Sequence, residues 1–320
     1  MAEEGAQGDG RHGHMRTVLV TGGTSGIGLE CCRTLARQER TRVVVVGRSA
    51  ERLEQALSTI REHAAPDSDV EGEVADLAEL ASVRSLVNRL IERQERLFAV
   101  VCNAGVESPP QERTVEGFET TFATNHLSHF LLVTALLRAN QFEEGRKARV
   151  VVVSSGLHDA TGKKTASAPD VSSWNRVAFG GPGWGGKQAY ATSKLCNILF
   201  GYELERRFAD QVEVFMYSPG LVPDTGLFRN HSAVGWWIVK SLLKVAAAWF
   251  VDIPMSTPER SGEFLARLGT DCALPWDSGS YFHIDHLFHT SDQSHDEQLA
   301  RELWDCSLEW IDTEPLPQEP

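Results

Sequence analysis

From Met15 onward, short β-branched runs alternate with amphipathic stretches, and this rhythm restricts the fold more than any other feature of the chain. The runs are TVLV at 17–20, RVVVVG at 42–47, VEGEVA at 70–75, LFAVVCNAG at 97–105, RVVVVSS at 149–155 and VEVFMYSPG at 212–220. Most are apolar along their length instead of at every second position, which is the pattern of strands buried on both faces, as in parallel sheets. Between them, LECCRTLARQ, ERLEQALSTIREH and ELASVRSLVNRLIERQE carry the helical period. Repeated βα units predict an α/β fold: a doubly wound parallel sheet with helices on both faces. No solenoid repeat and no linker composition interrupts residues 15–312, so a single domain is expected there. Residues 1–14 are small, polar and Gly-rich and read as a disordered tail, and 313–320 as a flexible one.

The formal net charge of −13 disfavours nucleic acid, which selects a basic face. The six cysteines show no C-x-x-C pairing and read as reduced thiols of an intracellular protein. No signal or transit peptide is evident at the N-terminus, so a cytoplasmic location is expected.

After the first run comes TGGTSGIGLE, in which Thr21, Gly22, Gly26 and Gly28 make T-G-x-x-x-G-x-G. Glycines between a first strand and a first helix permit a tight turn and let backbone approach a pyrophosphate, which then meets the helix N-terminus. A bare glycine pattern is weak evidence, but its position between the first strand and the first helix makes it read as the nucleotide turn of a Rossmann-type sheet. At the tip of the second run stands Gly47-Arg48-Ser49, with no carboxylate to hold a ribose 2′-hydroxyl. A guanidinium there suits the extra phosphate of NADP(H); a plain solvated arginine is the alternative. Asp76, at the tip of the third run, is placed to neighbour an adenine or to cap the helix starting near Leu80.

Six motifs in order, T-G-x-x-x-G-x-G at 21–28, CNAG at 102–105, TNHLSHF at 124–130, VVVSS at 151–155, YATSK at 190–194 and SPG at 218–220, resemble the short-chain dehydrogenases/reductases over nearly all of 16–312. The resemblance implies that Tyr190 is the general acid/base, Lys194 its electrostatic partner, Ser155 the substrate hydrogen-bonder and Asn125 the organiser of a proton-relay water. It further implies a cofactor site of Thr21, Gly22, Ser25, Gly26, Ile27, Gly28, Arg48, Asp76, Leu77, Asn103, Ala104, Gly105, Tyr190, Lys194, Pro219, Gly220 and Thr225. A free phenol has a pKa near 10, so a neighbouring ammonium, together with the cationic nicotinamide when oxidised cofactor is bound, is expected to lower it. No metal is implied. Three departures stand out: Cys102 replaces an asparagine, Ser128 a glycine, and Asp224 takes the place of the usual nicotinamide-contacting threonine, which leaves Thr225 beside it.

Two branches of the family look similar. SKLCNILFGYELERRF and ARELWDCSLEWI are close to retinol-dehydrogenase-like proteins, while SPGLVPDTGLFRNHS is also similar to light-dependent protochlorophyllide reductase. The first reading implies an alcohol/carbonyl substrate that is bulky and hydrophobic (retinoid-, steroid- or polyketide-like). The second implies reduction of a tetrapyrrole C=C bond, and a third, less favoured, is a silent NADP-binding regulator. Cys196 occurs in both branches and separates neither. Residues 226–258 read as a substrate lid in which Trp236 and Trp237 line an apolar pocket. The same 233–251 segment also suits a peripheral membrane contact or a homodimer interface. His283, His286 and His289 recur every three residues but read as satisfied or exposed side chains.

Overall fold

In the computed structural model, which describes residues 15–109, 112–161, 168–223 and 255–312, every one of the six runs forms a strand. These are β1 (Arg16–Thr21), β2 (Thr41–Gly47), β3 (Asp69–Val74), β4 (Leu97–Cys102), β5 (Ala148–Val153) and β6 (Val212–Ser218). With β7 (Tyr281–His283) and the short β8 (His286–Leu287) they line up as β3-β2-β1-β4-β5-β6-β7-β8. Neighbours from β1 to β7 pair in parallel, and only β8 pairs antiparallel.

Successive side chains of a strand point to opposite faces, and the continuous apolar runs therefore feed two cores. Val18, Val20, Val43 and Val45 pack with α1 (Gly26–Ala36) and α2 (Ala50–Arg61). Leu19, Val44 and Val46 pack on the other side with α3 (Leu80–Glu92). Val43 to Val46 have no solvent exposure at all, and each such side chain contributes about 1.5–3 kcal/mol relative to an exposed one. Single polar substitutions in this run would remove that term and add a desolvation cost.

The chain after β4 forms α4 (Thr120–Phe122), a wide turn at Ala123–Leu127 and α5 (Ser128–Arg138) without a break. In the wide turn the Ser128 N–H reaches back five residues to the Ala123 carbonyl, a local unwinding frequent at functional sites. After β5 come α6 (Trp174–Phe179) and the long α7 (Gly186–Arg207). Most of α7 from Ala189 to Leu204 is buried, which is why its sequence shows so little amphipathic period. It lies between the sheet and the C-terminal helix; α8 (Pro258–Thr270) packs on the α1 side, and α9 (Glu297–Asp312) is that C-terminal helix. Trp304 of α9 sits edge-on to Phe130 at 4.9 Å between ring centroids, and Trp310 edge-on to Phe122 at 5.6 Å.

β1 is flanked by β2 on one side and β4 on the other. The order of strands reverses there, so a crevice opens beyond the carboxyl ends of β1 and β4, the place where open α/β sheets bind ligands. Past β6, Leu221 and Met255 form a parallel bridge. Thr225, Trp236, Trp237, the 233–251 segment and most of the expected 226–258 lid lie outside the described residues. Among the described residues no helix is long and apolar enough to cross a membrane.

Candidate active site

The crevice is closed by the ends of two strands tied together through one hydroxyl. Thr21 Oγ1, at the end of β1, accepts from the backbone N–H of Asn103 at 2.9 Å and of Ala104 at 3.0 Å, just past the end of β4. Asn103 returns the contact: its Nδ2 donates to the Thr21 carbonyl at 2.8 Å. The turn that follows needs its glycines. Gly22 and Gly26 adopt φ of +66° and +56°, and a Cβ on Gly28 would stand 2.3 Å from the Gly22 carbonyl oxygen. That close packing brings the N-terminus of α1 against the turn. The first turn of α1 carries no acid, and the Ser25 side chain makes no capping bond to it. The N-terminal N–H groups of α1 and the positive end of its dipole therefore face the crevice, a donor set that fits a pyrophosphate.

Gly47 ends β2 against the same turn, since a Cβ there would lie 2.4 Å from Thr24 Cγ2. Arg48, the residue after Gly47, is exposed. The next residue, Ser49, caps α2 by accepting from the Arg52 N–H at 3.4 Å. Asp76, past the tip of β3, does not cap α3. Its Oδ1 accepts from the Ala78 N–H at 2.9 Å, and the Leu80 N–H is taken by Glu116 Oε1 at 2.7 Å. Leu77 beside it is buried.

Tyr190 and Lys194, one turn apart on α7, are both buried, and Lys194 Nζ lies 5.5 Å from the Tyr190 ring centroid. Nζ donates to the Val153 carbonyl at the end of β5 at 3.1 Å, and Asn197 Nδ2 donates to the same oxygen at 3.0 Å. Ser154 anchors α7 from the strand side: its hydroxyl donates to the Lys194 carbonyl at 2.7 Å. The two adjacent serines thus part company: Ser154 is spent on structure, while Ser155 Oγ accepts from the Leu157 N–H at 3.3 Å and lies near enough to the Tyr190 hydroxyl to ease its ionisation. Asn125 lies in the wide turn before α5 and has no exposure. Its Oδ1 accepts from the Val106 N–H at 2.7 Å, and its Nδ2 donates to the Val106 carbonyl at 3.0 Å and to Ser193 Oγ at 2.9 Å. Gly105 faces both groups, since a Cβ there would lie 3.4 Å from Asn125 Oδ1 and from Lys194 Nζ.

Burial governs the titration of the pair. It lowers the Lys194 ammonium from 10.5 to about 8. It pushes the Tyr190 phenol above its ordinary value, Glu107 pushes the same way, and the bond with Ser155 opposes them. The sequence expectation of a phenol lowered by the ammonium is therefore corrected. One N–H of the Lys194 ammonium goes to Val153, and desolvation of the phenolate is the largest cause of the Tyr190 shift. A protonated phenol beside a serine hydroxyl can give a proton to an oxygen on which negative charge develops.

A profile described as short chain dehydrogenase matches residues 16–167. Mouse retinol dehydrogenase 14 is 33% identical over 94% of this chain and 88% of its own length. The short-chain dehydrogenase TIC 32 B of Brassica napus, a chloroplastic protein, is 30% identical over 93% and 89%. The chain belongs to the short-chain dehydrogenase/reductase family. The crystal structure of an uncharacterised protein from Mycobacterium paratuberculosis shares the fold, with a TM-score of 0.67 at 25% identity over 95% of this chain and 96% of that one. As a member of the short-chain dehydrogenases/reductases, the protein is an oxidoreductase built around a nicotinamide cofactor.

Within this short-chain dehydrogenase/reductase, Thr21, Gly22, Ser25, Gly26, Ile27, Gly28, Asn103, Ala104 and Gly105 come together at the crevice, with Asn125, Ser155, Tyr190 and Lys194 deeper along the strand ends. Pro219 and Gly220 follow β6 at the same sheet edge, Gly220 at φ +70°. Two of the three departures from the family pattern are absorbed structurally, and Asp224 lies outside the described residues. Cys102 is a buried strand residue, and Ser128 donates to the Thr124 carbonyl at 2.9 Å. Cys196 is fully buried in the core, and burial raises its thiol pKa. His283 meets Ser218 Oγ at 3.1 Å and His286 meets Asp285 at 3.3 Å. Residues that sequence reading passed over include Ser193, whose hydroxyl donates to the Tyr190 carbonyl at 2.7 Å, and His158, bonded to the Ser155 carbonyl at 2.7 Å. His129 is a third. Only its position four residues after Asn125 in the NHLSH stretch signals a shared helix face.

Proposed function

We propose that this protein is an NADPH-dependent oxidoreductase acting on the carbonyl or alcohol of a bulky hydrophobic molecule, with reduction as the direction its site favours. The observation that carries the reading is the buried Tyr190 phenol on α7, beside Lys194 and close to Ser155 just past the end of β5. When bound, the nicotinamide supplies the hydride. The chain does the rest. Ser155 and Tyr190 hold the substrate oxygen, and Tyr190 surrenders a proton as charge builds on it. Lys194 keeps a positive charge near the phenol through neutral pH, since its pKa is about 8. Thr21, Asn103 and Ala104 shape the crevice, and Asn125 braces the segment at Val106.

Arg48, exposed at the tip of β2 where no acid stands, supports NADPH over NADH. The apolar substrate class is supported by the retinol dehydrogenase relative and by the aromatic content of the 226–258 segment. Cys196 is fully buried and burial raises its thiol pKa, which speaks against a proton-donating cysteine, and the likeness of SPGLVPDTGLFRNHS to the double-bond reductase branch is what the substrate panel tests. Purified protein mixed with NADPH and a panel of retinals, steroid ketones and a protochlorophyllide-type tetrapyrrole tests the reading. NADPH consumption in the dark with an aldehyde or ketone is expected. Turnover confined to the tetrapyrrole under light would contradict it.

A further inference from the structure

His129 is held between the two halves of the site by bonds that leave its ring one arrangement. It is buried to 1% exposure in α5. Nδ1 lies 3.0 Å from the Asn125 carbonyl and Nε2 lies 2.9 Å from Thr21 Oγ1. A carbonyl only accepts, so Nδ1 must carry the proton. Nε2 is then a bare acceptor. Thr21 Oγ1 already accepts two backbone N–H groups, from Asn103 and Ala104, which fill its lone pairs. Its one proton is left for Nε2, which is closer than the alternative acceptor, the Val101 carbonyl at 3.3 Å. The opposite tautomer would press two lone pairs together at Asn125 and ask the Thr21 oxygen to accept a third donor. Donors and acceptors thus match along the whole series from Ala104 and Asn103 through Thr21 and His129 to Asn125.

We propose that His129, as the neutral Nδ1–H tautomer, is a positioning residue that sets the nucleotide crevice and the Asn125 turn in register with each other. Through Thr21 it orients the hydroxyl that fixes the Asn103–Ala104 backbone at the cofactor crevice. Through the Asn125 carbonyl it holds the widened turn whose side chains brace Val106 and, by way of Ser193, the Tyr190 backbone. The inference rests on the proposed reading of Tyr190 and NADPH for its kinetic consequence, but not for its chemistry.

The two bonds can be separated by substitution. An asparagine places an amide N–H where Nδ1 stands and nothing at Nε2; a glutamine places an amide oxygen near Nε2 and nothing at Nδ1. H129N is expected to keep kcat within about three-fold and to weaken NADPH binding about ten-fold, the range for one lost hydrogen bond. H129Q is expected to do the reverse, with NADPH affinity within about three-fold and kcat down about ten-fold. A purely structural histidine would lower both quantities together in both variants, and that result overturns the proposal. If neither variant folds, the wild-type protein decides: 15N-histidine spectra of the holoenzyme must show the buried ring protonated at Nδ1 and bare at Nε2, and the Nε2–H tautomer overturns the proposal. NADPH affinity by fluorescence titration and the tautomer need no turnover. A wild type that binds NADPH yet reduces no carbonyl would therefore sink the functional reading while these two measurements still judge His129.

Discussion

Replacing Lys194 by methionine should make the protein more stable while disabling its site, because the lysine is buried at a cost. Its side chain is 2% exposed, and burial lowers the ammonium from 10.5 to about 8. That difference corresponds to about 3.5 kcal/mol, at ~1.4 kcal/mol per pKa unit. The folded value is the lower one, so between the two values the unfolded chain holds more protons. The cost is therefore complete below about pH 8 and fades as pH climbs toward the unfolded value. Against it stands one hydrogen bond, from Nζ to the Val153 carbonyl at 3.1 Å, with a net contribution of about 1 kcal/mol. Losing it orphans nothing, since Asn197 still donates to the same oxygen at 3.0 Å. The hydrophobic replacement should therefore gain about 2.5 kcal/mol near pH 7 and close to nothing near pH 10. Urea unfolding of both proteins without nucleotide, at the two pH values, reads the difference from the midpoints at constant slope. A variant less stable than wild type near pH 7, or a gain that does not shrink with pH, would refute the claim that charge burial dominates here.

Two further outcomes follow from the crevice. Arg48→Ala should weaken NADPH about ten- to a hundred-fold, the range for a charged hydrogen bond, and leave NADH nearly untouched; equal losses in fluorescence titrations with the two cofactors would contradict the phosphate assignment. Gly28→Ala would set a Cβ 2.3 Å from the Gly22 carbonyl, where backbone cannot yield cheaply. It should cost at least about 1–3 kcal/mol and abolish nucleotide binding, and an unchanged melting temperature would show that the turn is looser than the structure has it.

Much of the scaffold was legible because parallel strands announce themselves: a run such as RVVVV at 42–46 is apolar on both faces and can hardly be anything else. The glycine turn was legible for a similar reason, since φ values near +60° at Gly22 and Gly26 leave few alternatives. What escaped were contacts between distant residues. Nothing local says that Glu116 and not Asp76 serves the N-terminus of α3, or that Ser154 bonds the Lys194 carbonyl while Ser155 faces Tyr190. The direction of the phenol's pKa escaped as well, because spacing shows a lysine one turn away but not how completely both groups are desolvated. β8 was missed because two residues, His286 and Leu287, are too few to carry a period.

The central claim is that Tyr190 gives the proton while NADPH gives the hydride. It is tested most directly by single-turnover reduction of an apolar aldehyde with cofactor deuterated at the transferring position, in wild type and in Tyr190→Phe. The wild type should deliver deuterium to the carbonyl carbon. The variant should bind NADPH within about two-fold of wild type yet turn over at least about a hundred-fold more slowly, the range for loss of a general acid. Deuterium transfer at an undiminished rate in Tyr190→Phe would contradict the account.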